Sequence, residues 1–237
     1  MSKNNSVNMI VSKAKAGISK TTRKEARVVN EAYVVTQNRT DAKSFAVTEK
    51  PLRAHEELFK SYIENLNKVA AKLDTVDRSL ANSNHSEFRS LKTDETFNAN
   101  AAFLHSLYFD NIGMPESSIA IDSIAYLRLA RDWGSFDAWQ EDFIACGMSS
   151  RNGWVLTVYN TFLQRYMNVI VDLHNGNVPI GCIPVIAVDM WEHTYFRDYL
   201  KDKKNFIYKT MQELNWEVIE SRIKRTDKVA KIYGGEL

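Results

Sequence analysis

Asp189 and His193 stand four residues apart in the run Asp189, Met190, Trp191, Glu192, His193, Thr194, Tyr195. The run follows the segment Ile183 to Val188, which is rich in β-branched residues and reads as a buried strand. It opens the stretch WEHTYFRDYL, whose spacing is helical. A carboxylate at a strand end and an imidazole one helical turn further on can meet one metal ion at the strand-to-helix junction. A mixed oxygen and nitrogen donor pair suits a first-row transition metal. A capping aspartate and a core histidine are the ordinary alternative for the same two residues.

Such a junction needs a folded body around it, and 237 residues suffice for one large domain or two small ones with a substantial core. No apolar stretch approaches the roughly 20 residues that cross a bilayer, and the amino terminus lacks the apolar centre of a secretory signal. A soluble, non-secreted protein with no membrane partner is expected, either cytoplasmic or within a particle such as a virion or a mitochondrial ribosome. Cys146 and Cys182 are far apart and have no partner cysteines, which excludes a zinc ribbon and a CxxC redox pair and fits a reducing compartment. The formal charge of +2 hides an asymmetry, because residues 1–50 hold ten Lys and Arg against four Asp and Glu. This basic segment is rich in Ser, Thr, Asn and Ala and shows no sustained period. It reads as an extended arm that orders only on a partner: RNA or another nucleic acid, the acidic surface of a protein assembly, or nothing.

From Pro51 onward Leu58, Tyr62, Leu66, Val69 and Leu73 recur at spacings of three and four, the pattern of an amphipathic helix. The polar stretch Asp74 to Glu95 reads as a turn, and Phe97 to Ile112 as a second helix antiparallel to the first. MPESS, after Gly113, breaks the helix, and further helices are expected over Ile119 to Arg131 and Phe136 to Cys146. Trp154 to Asn160, Gln164 to Leu173 and Ile183 to Val188 read as three strands of a small antiparallel sheet, with Asn175, Gly176 and Asn177 turning between the last two. Helices over Trp191 to Leu200, Asn205 to Leu214 and Trp216 to Arg225 complete an α+β fold. The expected divisions are a basic arm over 1–50, a helical-hairpin domain over 51–114, and an α/β metal-binding domain over 115–237.

The run from Asp189 to Tyr195 resembles the signature of the iron/manganese superoxide dismutase family, which reads Asp, any residue, Trp, Glu, His, Ala or Thr, Tyr. The resemblance extends from about Pro51 to Lys224 through FNANAAFLHSLYFDNI, ARDWGSFDAWQEDF, the Asn152 to Trp154 triplet, DLHNGNVPIGCIPVIAVDMWEHTYF and NWEVIESRI. It implies a helical hairpin packed on a helix-flanked sheet, with one iron or manganese ion per chain bound between the halves. The implied activity converts superoxide to dioxygen and hydrogen peroxide. Asp189, His193 and His105 fall on family ligand positions.

The fourth ligand raises a question of register. The family ligand lies eight residues before the gateway tyrosine, which is Tyr62 here, and that position is Ala54; His55 comes one residue later. Either the first helix lacks the extra residue of a π-bulge and His55 takes the ligand place, or the ligand is lost and His55 lies at the surface. The first alternative is adopted, since seven residues turn a regular helix through about 700° and put His55 and Tyr62 on one face.

The resemblance also assigns the surroundings. Ala101 occupies the helix position where some relatives carry a glutamine that hydrogen-bonds to solvent on the ion, and His174 falls where others carry a sheet histidine for that role. Tyr62 would stand at the mouth of the substrate channel, Trp154 and Trp191 would wall the centre, and Arg222 would draw in the superoxide anion. Leu156 replaces a frequent second tryptophan. A homodimer through Glu192 and His193 is implied, but Phe196 and Leu58 replace the tyrosine and histidine that bridge its interface. These departures, with the basic arm, leave a second reading open: a structural protein that keeps the fold as a component of a virion or ribosome-type assembly. An active dismutase tethered by its arm joins the two.

Overall fold

The computed structural model describes residues 33–36 and 41–233. The extended basic arm expected over 1–50 therefore lies outside the described residues for 1–32 and 37–40. Two long helices come first, α1 (Glu49–Thr75) and α2 (Glu87–Asn111), joined by a short 3-10 turn over Arg78–Leu80. On α1 the buried residues Leu52, His55, Phe59, Ile63, Leu66, Ala70 and Leu73 recur every three or four positions and form the stripe that packs on α2.

Helix α2 begins at Glu87, well before the expected Phe97. Its first turns carry Arg89, Ser90, Lys92, Thr93 and Asp94 on an exposed face, so their polarity masks the helical period, and Leu91 alone is buried there. Ser86 marks the start, its hydroxyl accepting the Arg89 N–H at 3.0 Å. Helix α3 (Ile124–Trp133) starts later than the expected Ile119, after Ser123 caps it by accepting the Tyr126 N–H.

Helix α4 (Phe136–Ser149) leads into an antiparallel sheet of β1 (Gly153–Asn160), β2 (Arg165–Asp172) and β3 (Cys182–Asp189), in the order β2-β1-β3. The central strand pairs Trp154 with Val171 on one side and with Asp189 on the other. A register shift between Thr157 and Val158 coincides with Pro184 on edge strand β3, where a missing N–H is tolerated. Gly153 is required where it stands, because a Cβ there would lie 2.0 Å from the Val171 carbonyl oxygen. Helices α5 (Glu192–Tyr199), α6 (Lys203–Gln212) and α7 (Trp216–Tyr233) follow. The α+β class read from the sequence is the class observed. No helix among the described residues is long and apolar enough to cross a membrane.

Residues 33–36 and 41–48 lie on this body in non-repetitive conformation. Asn67 of α1 grips Val35 twice, accepting its N–H at 2.8 Å and donating to its carbonyl at 2.9 Å. Ala42, Ala46 and Val47 are buried in the main core.

Candidate metal centre

Asp189, the last residue of β3, is fully buried. Its Oδ1 accepts the Trp191 N–H at 2.8 Å, which orients the carboxylate and leaves Oδ2 facing the helices. Around Oδ2 stand three imidazole nitrogens: His55 Nε2 at 3.0 Å, His193 Nε2 at 3.4 Å and His105 Nε2 at 3.7 Å. The four donor atoms all lie within 4.8 Å of one another, and each is buried with no hydrogen-bond partner of suitable geometry.

Each donor comes from a different place. His55 projects from the buried stripe of α1, His105 from the second half of α2, Asp189 from the end of β3 and His193 from the first turn of α5. Helix α1 is unbroken α-helix over its whole length, so the register question resolves as a geometry: without an inserted residue, His55 rather than Ala54 faces Asp189. Ala54 instead lines a cleft of about 320 Å³ with Pro51, Leu58, Glu192, Phe196 and Arg197, and the His193 side chain, 31% exposed, opens onto it.

The protonation pattern favours a cation. His105 Nδ1 lies 2.7 Å from the Ala101 carbonyl, which can only accept, so Nδ1 carries the hydrogen and the neutral ring turns the Nε2 lone pair inward. Burial lowers the His55 and His105 pKa values against the pull of Asp189, well below the ordinary value for His105, so both rings are held neutral. Burial alone would raise the Asp189 pKa, but the neighbouring His193 and His55 outweigh it and hold the carboxyl below the usual carboxylate range. The His105 lone pair and the Asp189 oxygen cannot satisfy one another, none of the four donor atoms has a hydrogen-bond partner of suitable geometry, and unpaired buried polar atoms are rare. Four donors about 2.1 Å from a shared ion and about 90–120° apart would be separated by about 3.0–3.6 Å, close to the 3.0, 3.4 and 3.7 Å from Asp189 Oδ2 to the three imidazole nitrogens. The residues fit a metal ion.

Beside the four donors lies a polar chain. Trp154 Nε1, which can only donate, points at His174 Nδ1 at 3.0 Å, so in the neutral ring the hydrogen is on Nε2, 3.1 Å from the Tyr62 hydroxyl. Asn100 Nδ2 donates to the His174 carbonyl at 2.9 Å. His174 is fully buried rather than exposed in its turn. The preceding Leu173 adopts φ 54°, a left-handed conformation costing about 1–2 kcal/mol, and its exposed side chain turns out as His174 turns in. Burial lowers the His174 pKa to about 4, and burial together with Asp189 pushes Tyr62 up to about 12.

Aromatic rings close the site. Phe59 stacks on His105, Trp154 meets His105 edge-on, and Trp191 stacks on both His174 and His193. Phe97 packs edge-on against His174 at 4.7 Å and also touches Tyr62. The sequence reading passed over Phe97, although it lies two helical turns before His105 on the same helix. Arg222 is not brought to this group. It is 6% exposed, and its guanidinium donates to Asn111 Oδ1 and to the carbonyls of Val185 and Leu107, with Asp110 beside it. Burial lowers its pKa to about 10. A cation committed to interior acceptors offers no exposed charge for drawing in an anion, so the expected role for Arg222 does not match its position.

Residues 124–222 match the family described as iron/manganese superoxide dismutases, C-terminal domain. An iron superoxide dismutase of Aquifex pyrophilus is 34% identical over 176 residues, covering 72% of this chain and 80% of that protein. An iron superoxide dismutase of Cupriavidus metallidurans is 30% identical over 184 residues, covering 76% of this chain and 90% of that protein. A manganese superoxide dismutase of Haloferax volcanii is 32% identical over 130 residues, 55% of this chain and 64% of that protein.

Proposed function

The chain belongs to the iron/manganese superoxide dismutase family, and from that premise we propose that it converts superoxide to dioxygen and hydrogen peroxide, with His55, His105, Asp189 and His193 holding one iron or manganese ion. The observation that carries this reading is the convergence of four buried donor atoms that no protein group satisfies. When bound, the ion supplies the one-electron couple by which two superoxide anions and two protons become dioxygen and hydrogen peroxide.

The protein's own groups set the conditions for that exchange. Asp189 brings one negative charge and the neutral imidazoles bring none, so the donor set offsets only part of the charge of a divalent or trivalent ion and leaves the site attractive to an anion. Phe59, Trp154 and Trp191 exclude bulk water and hold the rings in place. His174 Nε2–H donates to the Tyr62 oxygen, which frees the phenolic proton to point toward an incoming substrate. With its pKa near 12, Tyr62 keeps that proton at neutral pH.

The cleft beside His193 supports a homodimer through Glu192 and His193, in which Leu58 and the half-exposed Phe196 make an apolar contact in place of a polar bridge. The same apolar substitutions and the basic composition of residues 1–50 favour the second reading, a component of a larger assembly tethered by its amino-terminal arm to an acidic protein surface or a nucleic acid.

The test is metal analysis of the purified full chain after exposure to each ion, paired with an assay of superoxide consumption. About one ion per chain and consumption abolished by chelation are expected. A folded chain that takes up neither ion rejects the enzyme reading and leaves the structural one. Under tethering, removal of residues 1–32 leaves consumption unchanged.

A further inference from the structure

Glu213 is 1% exposed and lies outside the centre described above. Its carboxylate collects four donors: Ser44 Oγ at 2.7 Å, the Phe45 N–H at 2.5 Å, the Ala46 N–H at 3.3 Å and the Gly113 N–H. Residues 41–47 form neither helix nor strand, so their amides need acceptors from elsewhere in the fold. Ser44 passes the anchoring on, its Oγ accepting the Val47 N–H at 3.0 Å.

This anchored strap feeds α1. Thr48, the cap residue of α1, donates from N and Oγ1 to Asp198 at 2.7 and 2.8 Å, and the Tyr199 hydroxyl donates to the Ala46 carbonyl. Both partners lie on α5, whose second residue is His193. From Thr48 to His55 is only about 10 Å of helix. On its other side the Glu213 turn holds the end of α2, where Met114 N–H donates to the Glu213 carbonyl at 3.1 Å and Asn215 N–H to Asn111 O at 2.7 Å. Asn111 donates in turn to Ala187 O of β3 at 2.6 Å, just ahead of Asp189. The carboxylate thus ties residues 44–46 to the turn after α2, and backbone and Asn111 bonds of the same turn continue to the segments that carry His105 and Asp189.

We propose that Glu213 is a positioning residue for the metal centre: by fixing residues 44–46 it sets how α1 enters the fold and holds His55 at its distance from Asp189. Positioning of the ring stands without an ion, whereas the effect on ion retention rests on the metal-binding reading. Burial pushes the Glu213 carboxyl up against the pull of its donors, so a neutral amide of the same shape is a fair substitute.

The experiment compares Glu213→Leu, Glu213→Gln and Tyr166→Phe, the last removing a buried hydrogen bond to Thr226 away from the centre. In metal-free protein, NMR of the imidazole rings is expected to show the His55 signals displaced in Glu213→Leu and restored in Glu213→Gln. Tyr166→Phe is expected to leave them in place. Amide exchange at Phe45 and Ala46 should accelerate in Glu213→Leu alone. In protein loaded with manganese, release to a chelator should be at least about tenfold faster in Glu213→Leu and within about threefold of the parent in Glu213→Gln. Unmoved His55 signals in a folded Glu213→Leu protein whose strap amides exchange freely overturn the proposal. If Glu213→Leu does not fold, Ser44→Ala, which removes one anchoring donor, decides, and parental His55 signals in it overturn the proposal. A parent chain that binds no ion refutes the metal reading, and the ring signals still decide the positioning.

Discussion

His55 and Tyr62 share one face of an uninterrupted α-helix, the imidazole 3.0 Å from Asp189 and the phenol 3.1 Å from His174. Seven residues bring two side chains back to within about 20° of each other, so a single helix face serves both the donor cluster and the polar chain beside it. Any change of register on α1 must separate these two functions.

Shifting the histidine by one residue provides the test. His55→Ala removes one of four donors, and a second change, Ala54→His, places an imidazole about 100° away around the helix, facing the cleft. The single variant is expected to lose at least about tenfold in metal affinity, and the double variant to recover none of it. His193→Ala is expected to abolish bound metal. Metal content per chain checks all three, and full occupancy in the double variant would show that residue 54 can serve.

Acid should weaken the metal-free protein through its buried rings. His55, His105 and His174 have pKa values lowered by burial, His174 to about 4, so the folded chain keeps them neutral while an unfolded chain protonates near pH 6.5. Between those values the unfolded state binds more protons, so stability rises with pH and falls on acidification, by up to about 1.4 kcal/mol per pH unit for each group. For Asp189, whose pKa is lowered despite its burial, the loss begins only below about pH 4. The melting temperature of the metal-free chain should decline steadily from about pH 7 to about pH 5. A flat profile would mean that the rings already carry protons.

Trp154→Phe isolates the orientation of His174. Without the indole donor, Nδ1 is left unpaired at a cost of about 1–3 kcal/mol, and the ring hydrogen can move to Nδ1, which ends donation to Tyr62. Turnover is expected to fall about tenfold or more with metal content unchanged. Parental turnover would remove His174 from the proton path.

For Arg222 the buried position sets the expectation. Arg222→Met strands the acceptors at Asn111, Val185 and Leu107 and should cost about 3–5 kcal/mol. The dependence of kcat/KM on ionic strength should not change, as measured by stopped-flow at several salt concentrations. A flattened salt dependence would restore the steering role.

Asp189 and His193 were legible because a strand end followed by one helical turn fixes their proximity within a single stretch of chain. The three strands were legible for a similar reason, since β-branched runs and Gly or Asn turns are local signals. His105 needed the family resemblance, since a histidine on an apolar helix face is read more easily as core than as donor. Arg222 was misjudged because a helix carries the same charged letter whether its side chain meets water or carbonyl oxygens. The start of α2 was obscured by a polar face over its first turns. Glu213 gave no signal at all: its partners are a hydroxyl and backbone amides, and Ser44 is 169 residues away in sequence.

The clasp of Asn67 on Val35 fixes where anything joined to the front of the chain must depart. Residue 67 lies about 18 Å along α1 from His55, and Tyr33 sits beside Glu95 of α2, to which its hydroxyl donates, about 15 Å along that helix from His105. The chain therefore enters the described body on the flank of the helix pair. Residues 33–36 leave the opening beside His193 unobstructed, so the point where the chain enters the described body and the cleft do not compete for space.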